Sequence, residues 1–215
     1  MAIADKPLYY LSIDEAQRLI QSRKLSPVEL TRSVLERIAS VDGRLHAYIN
    51  LMADAAMEQA RVAEAEIAGG KWRGPMHGIP VAVKDQLDVA GAPARIRQFT
   101  EGVGDATAVR KLRDAGAILL GKLHMSSLPD ADLPLPRNPW NTEHITGGSS
   151  TGSGAAVSGG LCLGSLGEDT AGSIRNPSAF CGIVGLKATY GRVSRYGLAP
   201  LSWSLDHCGP MARVV

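Results

Sequence analysis

The stretch over residues 147–177, which reads GGSSTGSGAAVSGGLCLGSLGEDTAGSIRNP, limits the possible folds more than any other part of the chain. Glycine supplies the left-handed conformations that tight loops need, and serine supplies hydroxyl groups without bulk. A flexible Gly/Ser linker would lack the apolar residues that are interleaved here. They are Val157, Leu161, Leu163, Leu166, Ile174 and, just beyond, Phe180. The run therefore predicts a packed catalytic floor where backbone amides come close to a substrate.

Helix patterns precede this floor. Ser12 with Glu15 forms a capping-box pattern, which predicts a first helix of about 12 residues. Ser26 before Pro27 predicts a second helix, whose apolar face continues until residues 42–43, Asp-Gly, stop it.

An Ala-rich segment over residues 54–67, followed by two glycines, predicts a third helix. Together the three helices predict an N-terminal helical arm over residues 1–73. We expect this arm to pack on a core over residues 74–215, with both parts in a single structural domain.

Short apolar segments alternate with helix patterns in this core. Residues 79–85 and 117–120 are apolar, and they are typical of buried strands. Residues 105–115 and 154–161 are predicted to be helices, whereas residues 138–144 look like a polar loop. Helices that alternate with short buried strands predict a layered α/β domain.

The composition argues against several kinds of partner. The chain has 215 residues, 45% of them hydrophobic, and a net charge of +2, with no basic run interleaved with aromatics, so we expect one core and no direct nucleic-acid partner. No apolar stretch approaches the roughly 20 residues that span a bilayer, so we expect no membrane association and a cytoplasmic location. Cys162, Cys181 and Cys208 lie far apart without a CxxC spacing, which predicts neither a disulfide nor a zinc site.

Lys84 ends an apolar strand pattern, where an ammonium group is unusual unless it is paired or used in chemistry. In a structural interpretation, Lys84 reaches the surface or pairs with Asp85 or Asp88. To act as a base, it must lose its proton, so its pKa of about 10.4 has to fall by roughly three units. Burial beside Val81 and Val83 is expected to lower the pKa of Lys84. Because successive strand side chains alternate in direction, Asp85 is expected to stay out of the site of Lys84.

The segment Gly148–Gly152 also matches G-x-S-x-G, the nucleophile elbow of α/β-hydrolases, with Ser150 as the nucleophile. Such an elbow follows a strand directly, yet a polar loop is predicted before it, and the only later histidine is His207, beside Asp206. A phosphate-cradling loop is another interpretation of the glycines, but no Gly-Lys-Ser/Thr sequence follows them. Both patterns are incomplete.

Several blocks of the sequence, in order, closely resemble the amidase signature family. They are residues 78–85, 115–117, 121–122, 137–141, 147–177, 179–187 and 190–194. The resemblance runs from residue 10 to the end of the chain. It implies a mixed β-sheet core sandwiched by helices, with an N-terminal helical arm. Family members continue well past the position of Val215, so we expect a fragment or a truncated chain that lacks the C-terminal part of the fold.

The resemblance also implies a Ser-cisSer-Lys triad. By position in the motif, Ser173 would be the nucleophile, Ser149 the bridging serine and Lys84 the base. These residue types suit the chemistry, since a serine hydroxyl is a poor nucleophile until a base takes its proton, and a neutral lysine can do so through a relay hydroxyl. The resemblance assigns the oxyanion hole to the backbone N–H groups of Thr170, Ala171, Gly172 and Ser173.

Other positions receive supporting roles from the same resemblance. Ser150 is expected to support Ser149 by hydrogen bonding, or else to fill the loop as a small residue. Asp169 and Arg175 flank the nucleophile, and we expect them to pair or to orient the floor from behind. Met125 lies in a segment that lines the acyl pocket in relatives, although a single methionine is more often part of a core. No cofactor and no metal is implied.

The chain departs from the family pattern at two positions and in two segments. Glu168 and Ala171 stand where relatives usually have threonine and glycine, and the added methyl group of Ala171 is expected to strain or narrow the oxyanion hole. Residues 94–104 and 125–136 are several residues shorter than in relatives.

Two classes of function are therefore open. The first is an amidase that hydrolyses a small carboxamide through a Ser173 acyl-enzyme. A close alternative within this class is a protein like the A-type subunit of a glutamine amidotransferase, which supplies ammonia to a charged tRNA. The second class is a truncated, inactive amidase-like chain. Residues that would select glutamine are expected beyond Val215. For the assembly of the chain, a homodimer is one expectation.

Overall fold

The computed structural model describes residues 6–92, 104–125 and 133–215. These residues form six α-helices, a sheet of six strands and a separate pair of short strands. The predicted α/β class with a mixed sheet core is confirmed. Most of residues 94–104 and 125–136, the two segments expected to be shorter than in relatives, lies outside the described residues.

The helices agree closely with the sequence patterns. Their bounds are α1 Ile13–Gln21, α2 Pro27–Leu45, α3 Ala53–Ala68, α4 Thr107–Asp114, α5 Thr151–Gly159 and α6 Arg175–Cys181. Helices α1 to α5 correspond to the five predicted helices, whereas α6 was not predicted. Helix α5 begins three residues before the predicted start, at the end of the Gly-Ser-Ser segment.

The strands are β1 Tyr48–Leu51, β2 Pro80–Lys84, β3 Ile118–Leu123, β4 Arg137–Asn138, β5 Asn141–Ile145, β6 Gly164–Asp169, β7 Val184–Gly185 and β8 His207–Ala212. The large sheet has the order β1-β3-β2-β6-β8-β7. Within it, β2 runs parallel to both β3 and β6, and the other pairings are antiparallel. The sheet is therefore mixed.

Local hydrogen bonds explain where the first two helices begin. The Ser12 hydroxyl accepts a bond from the Glu15 N–H at 3.0 Å, and the Glu15 carboxylate accepts one from the Ser12 N–H at 2.7 Å. This is the predicted capping box. At the start of α2, the Ser26 hydroxyl accepts a bond from the Val28 N–H at 2.9 Å, with Pro27 in the first turn.

The predicted end of α2 at Asp42-Gly43 is wrong. The helix continues to Leu45 and ends at His46, which has a left-handed conformation. Asp42 does not stop the helix, because its carboxylate instead accepts a bond at 2.8 Å from the Ala47 N–H, just beyond the last turn. Asp42, which the sequence predicted to end the helix, instead caps the turn that follows it.

The predicted polar loop over residues 138–144 is also wrong. Strands β4 and β5 pair antiparallel, as a short hairpin outside the main sheet. Its polar side chains gave no alternating pattern, because all five residues of β5 are exposed. Strands β1, β6 and β8 were likewise not predicted. Strand β6 lies inside the Gly/Ser-rich run, where small residues hide the strand pattern.

The main sheet brings two strand ends to one edge. Strands β2 and β6 are parallel neighbours, and Val83 pairs with Leu166 in their register. Lys84 is the last residue of β2, and Glu168 and Asp169 end β6. Because parallel strands have their carboxyl ends at the same edge, these three charged residues lie close together.

One cluster of buried apolar residues connects the helices to the sheet. It includes Leu30 and Val34 of α2, Val81 of β2, Leu119 of β3 and Val157 of α5, all with at most 3% of their surface exposed. Within the described part of the chain, no helix has both the length and the apolar character that crossing a membrane requires.

Candidate active site

Lys84 lies at the centre of the site, at the end of β2. Its Nζ is 2.9 Å from the Ser149 Oγ and 2.9 Å from Oε2 of Glu168, and it also donates to the Glu168 carbonyl at 3.4 Å. The side chains of Lys84 and Glu168 are both fully buried. The structural interpretation named Asp85 or Asp88 as the partner of Lys84, but the carboxylate paired with it is that of Glu168.

Asp85 follows Lys84 directly, in the turn after β2, and its carboxylate pairs with a different lysine. It forms an ion pair with Lys122 of β3, at 3.0 Å from Nζ to Oδ1. Both of these side chains are also buried. Among the described residues, the sheet therefore carries two buried lysine–carboxylate pairs, and of these two the pair of Lys84 and Glu168 contacts Ser149.

Two opposing effects act on the charge of Lys84. Burial lowers the pKa of Lys84, whereas the carboxylates of Glu168, Asp169 and Asp206 raise it. Burial is the larger effect, so the pKa lies below its ordinary value. This direction favours the neutral amine, which is the form that can accept a proton.

Ser149 follows a cis peptide bond with Gly148, at the turn that leads into α5. The Gly148 N–H donates to the Asn176 side-chain oxygen at 3.4 Å, which ties this turn to α6. Gly147 has a φ of +75°, and a Cβ at this position would collide with the Asn176 side chain. The turn therefore requires glycine both for its conformation and for space.

Ser150 connects the turn to the segment that carries Ser173. Its buried hydroxyl donates to the Glu168 carbonyl at 3.2 Å, and its N–H donates to the Ser173 carbonyl at 3.2 Å. These contacts tie Ser150 to β6 and to the Ser173 segment, whereas the sequence suggested that it supports Ser149. The elbow interpretation gains no support, because the Nδ1 of His207 donates to the Leu205 carbonyl.

Ser173 is half-buried, on the turn between β6 and α6. Asp169 organises this turn, since its buried carboxylate accepts N–H bonds from Gly172 at 2.7 Å and from Ile174 at 3.1 Å. Arg175 donates to the same carboxylate through Nε at 3.0 Å. Asp169 and Arg175 thus pair with each other at the turn that carries Ser173, and their role in supporting a nucleophile stays a prediction.

The environment of Asp169 keeps it ionised. Burial raises the pKa of this carboxyl, but the bonds from Arg175, Lys187 and the backbone outweigh burial and hold the pKa well below its usual range. The Lys187 Nζ lies 3.0 Å from the Asp169 Oδ1. A fixed negative charge therefore anchors the turn that carries Ser173.

The four N–H groups predicted for the oxyanion hole differ in their surroundings. The Gly172 N–H is directed at Asp169, and so it is already bonded within the turn. Lys187 donates to the Thr170 carbonyl at 2.8 Å. Because the C=O and N–H of a trans peptide point in opposite directions, this bond holds the Ala171 N–H away from Lys187. Ala171 itself is exposed.

Met125 is half-buried, directly after His124. The His124 carbonyl accepts a bond from the Gly152 N–H at 2.9 Å, so Met125 begins close to the first turn of α5. The residues that follow Met125 lie outside the described part of the chain. Its role in a substrate pocket stays a prediction.

Sequence reasoning missed three contributions to the site. Lys187 and Asn176 stand out in the sequence only as parts of family blocks, although they hold the Thr170 carbonyl and the Gly148 N–H. Glu168 was expected to depart from the family pattern, but its contact with Lys84 was not predicted. No local sequence signal indicated this contact, because it depends on the parallel pairing of β2 with β6. In the described ranges, no cluster of three or more His, Cys, Asp or Glu could hold a metal ion.

Comparison with known proteins identifies the family. The family model described as Amidase matches residues 29–215. The chain belongs to the amidase family. It is 45% identical to the A-type subunit of glutamyl-tRNA(Gln) amidotransferase from Moorella thermoacetica over 218 residues, which cover 97% of this chain and 45% of that protein.

Solved structures of family members have the same fold. The chain superposes on the native peptide amidase of Stenotrophomonas maltophilia with a TM-score of 0.87 and 38% identity, over 96% of this chain and 46% of that one. A crystal structure described as an amidase gives a TM-score of 0.89 and 40% identity, over 94% of this chain and 49% of that one. The chain spans about half the length of the curated relatives that it matches.

Proposed function

We propose that this chain carries the Ser173–Ser149–Lys84 machinery of an amidase that hydrolyses the C–N bond of a small carboxamide. The observation that carries the proposal is the contact of 2.9 Å between the Lys84 Nζ and the Ser149 Oγ. A fully buried lysine beside a serine hydroxyl is costly for folding unless it is paired or used. Membership in the amidase family supports the same class of reaction.

The first half of the reaction would form an acyl-enzyme. The neutral Lys84 amine accepts the proton of the Ser149 hydroxyl while Ser149 accepts the proton of Ser173. The Ser173 Oγ forms a bond with the carbonyl carbon, and the carbonyl oxygen becomes an oxyanion. When the C–N bond breaks, the proton returns from the Lys84 ammonium through Ser149 to the departing nitrogen, which leaves as ammonia or an amine.

Water then attacks the acyl carbon while its proton passes through Ser149 to Lys84. When the bond between the acyl carbon and the Ser173 Oγ breaks, the proton returns from Lys84 through Ser149 to the Ser173 Oγ, and the carboxylic acid leaves. The oxyanion would be stabilised by backbone N–H groups of the nucleophile turn. The candidates are those of Thr170, Ala171 and Ser173, because the Gly172 N–H already donates to the Asp169 carboxylate. Loss of one such donor typically costs about 3–4 kcal/mol of transition-state stabilisation.

A second candidate is a component of a glutamine amidotransferase that releases ammonia for a charged tRNA. The identity of 45% to a protein of that name favours it. Both candidates use the same acyl-enzyme chemistry and differ in substrate and partner. A cytoplasmic location and a homodimer stay predictions, and neither separates the two candidates.

The proposal can be tested with a fluorophosphonate probe, which forms a covalent adduct with an activated serine. We expect the chain to be labelled, Ser173→Ala to abolish labelling and Ser149→Ala to reduce it severely. Ser204→Ala is the matched control, because Ser204 is an exposed serine close in sequence to Asp206, and it should be labelled like the wild type. Equal labelling of the Ser173→Ala and Ser204→Ala proteins would contradict the proposal.

A further inference from the structure

The Glu168 carboxylate contacts the proposed base directly. Its Oε2 is 2.9 Å from the Lys84 Nζ, and its backbone carbonyl accepts a second bond from the same nitrogen at 3.4 Å. Both side chains have no exposed surface. Glu168 therefore contacts the proposed base from two directions, through its side chain and through its main chain.

The number of hydrogen atoms on Lys84 makes this arrangement informative. A lysine ammonium has three N–H donors and no lone pair, so all three would be used on Glu168 Oε2, the Glu168 carbonyl and Ser149. A neutral amine has two N–H donors and one lone pair. With both donors directed at Glu168, the lone pair faces the Ser149 hydroxyl. Glu168 thus orients Lys84 for accepting a proton.

Other charged and titratable groups surround the pair. The Thr170 hydroxyl lies 2.6 Å from Glu168 Oε1 and 2.7 Å from the Asp206 carboxylate, and its single proton serves one of them at a time. Asp206 also accepts the Leu201 and Ser202 N–H groups.

On the neighbouring strand β8, Cys208 pairs with Glu168 in the sheet register. Burial raises the pKa of the Cys208 thiol to about 12, so it adds no charge at neutral pH. Asp169 is the remaining carboxylate near Lys84, and its charge is matched by Arg175 and Lys187. Glu168 is therefore the carboxylate in direct contact with Lys84.

We propose that Glu168 is a positioning residue for Lys84, and that its carboxylate sets the pH above which Ser173 can be acylated. This inference rests on the proposed function of Ser173. A negative charge beside Lys84 stabilises the ammonium form, so the neutral base becomes available only at a higher pH than burial alone would allow. Removing the charge should move the onset of activity to lower pH.

The test is the rate of fluorophosphonate labelling of Ser173 between pH 5 and pH 10. We expect Glu168→Gln to lower the midpoint of the rate–pH curve by about 1–3 units, the shift that an opposite charge within contact distance produces. Asp85→Asn is the matched control, because Asp85 forms another buried lysine–carboxylate pair, with Lys122 instead of Lys84. Its midpoint should equal that of the wild type.

The outcomes separate the two proposals. A wild-type chain with no labelling at any pH would overturn the proposed function, and this inference with it. Labelling of both proteins with the same midpoint would overturn the role of Glu168 alone. If Glu168→Gln does not fold, Glu168→Thr removes the charge with a smaller side chain and should lower the midpoint in the same direction. An unchanged midpoint in the threonine variant would likewise overturn the inference.

Discussion

The two buried lysines of the sheet allow a paired experiment on the role of Lys84. Lys84→Met and Lys122→Met each replace a fully buried ammonium side chain by an apolar one of similar length. Each leaves a buried carboxylate without its lysine, Glu168 in one variant and Asp85 in the other. The two substitutions are therefore closely matched in their structural consequences.

We expect the two variants to lose similar stability. Removing one partner of a buried ion pair typically costs about 3–5 kcal/mol, because the remaining charge is left in a medium of low polarity. The pairs are comparable, with N–O distances of 2.9 Å and 3.0 Å. Urea unfolding followed by circular dichroism measures this cost for each protein.

The reactivity of the two variants should differ. Only Lys84 contacts Ser149, so only its loss removes the proposed base. General-base catalysis contributes about 10²–10⁴ in rate, which corresponds to roughly 2.7–5.4 kcal/mol of barrier. The labelling rate of Ser173 should fall by that factor in Lys84→Met and stay near the wild-type rate in folded Lys122→Met.

The comparison is made without urea, at a pH and temperature where both variants remain folded by circular dichroism. Equal labelling rates for the two folded variants would refute the reasoning, since burial and pairing alone would then account for Lys84. A large loss in both would indicate that the whole sheet edge, and not one amine, controls reactivity.

Three further substitutions test the surroundings. Gly147→Ala should slow labelling of Ser173, because a Cβ at this left-handed position would collide with the Asn176 side chain. Asp169→Asn should lower the melting temperature near neutral pH. The pKa of Asp169 is held below its usual range, so its stabilisation is present above about pH 4 and is lost as the pH falls further, and the difference from wild type should shrink there. Ser12→Ala should cost about 0.5–2 kcal/mol in urea unfolding, without changing the labelling rate.

Each of these predictions has a control or a contrary result. For Gly147, the control is Gly43→Ala, since a Cβ on Gly43 meets no atom within 4 Å, and equal labelling of both variants would argue against the collision. A pH-independent difference in melting temperature would contradict the role of Asp169. For Ser12, Ser40→Ala removes an exposed hydroxyl of the neighbouring helix α2, and an equal cost for both serines would contradict the capping argument.

Local signals predicted much of the fold. Ser12 with Glu15, and Ser26 with Pro27, defined two helix starts because capping depends on residues close in sequence. The end of α2 was mispredicted, since whether Asp42 stops a helix or caps the next turn depends on where the chain goes afterwards. Strand β6 was missed because small residues carry little periodic signal.

For the candidate site, some residues were predicted from the sequence, but several contacts between them were not. Lys84 was singled out on its position in an apolar strand, and Asp85 was expected to stay out of its site. The contact between Lys84 and Glu168 could not be predicted from periodicity, because it spans 84 residues and depends on the parallel pairing of β2 with β6. Lys187 was missed for the same reason, since its bonds to Asp169 and Thr170 come from a distant turn.

Peptide mapping by mass spectrometry of the fluorophosphonate-treated wild-type chain tests the central claim most directly. The account predicts a single adduct on Ser173, with Ser149 and Ser150 unmodified. An adduct on Ser150, or the absence of any adduct on a chain that is folded by circular dichroism, would contradict it.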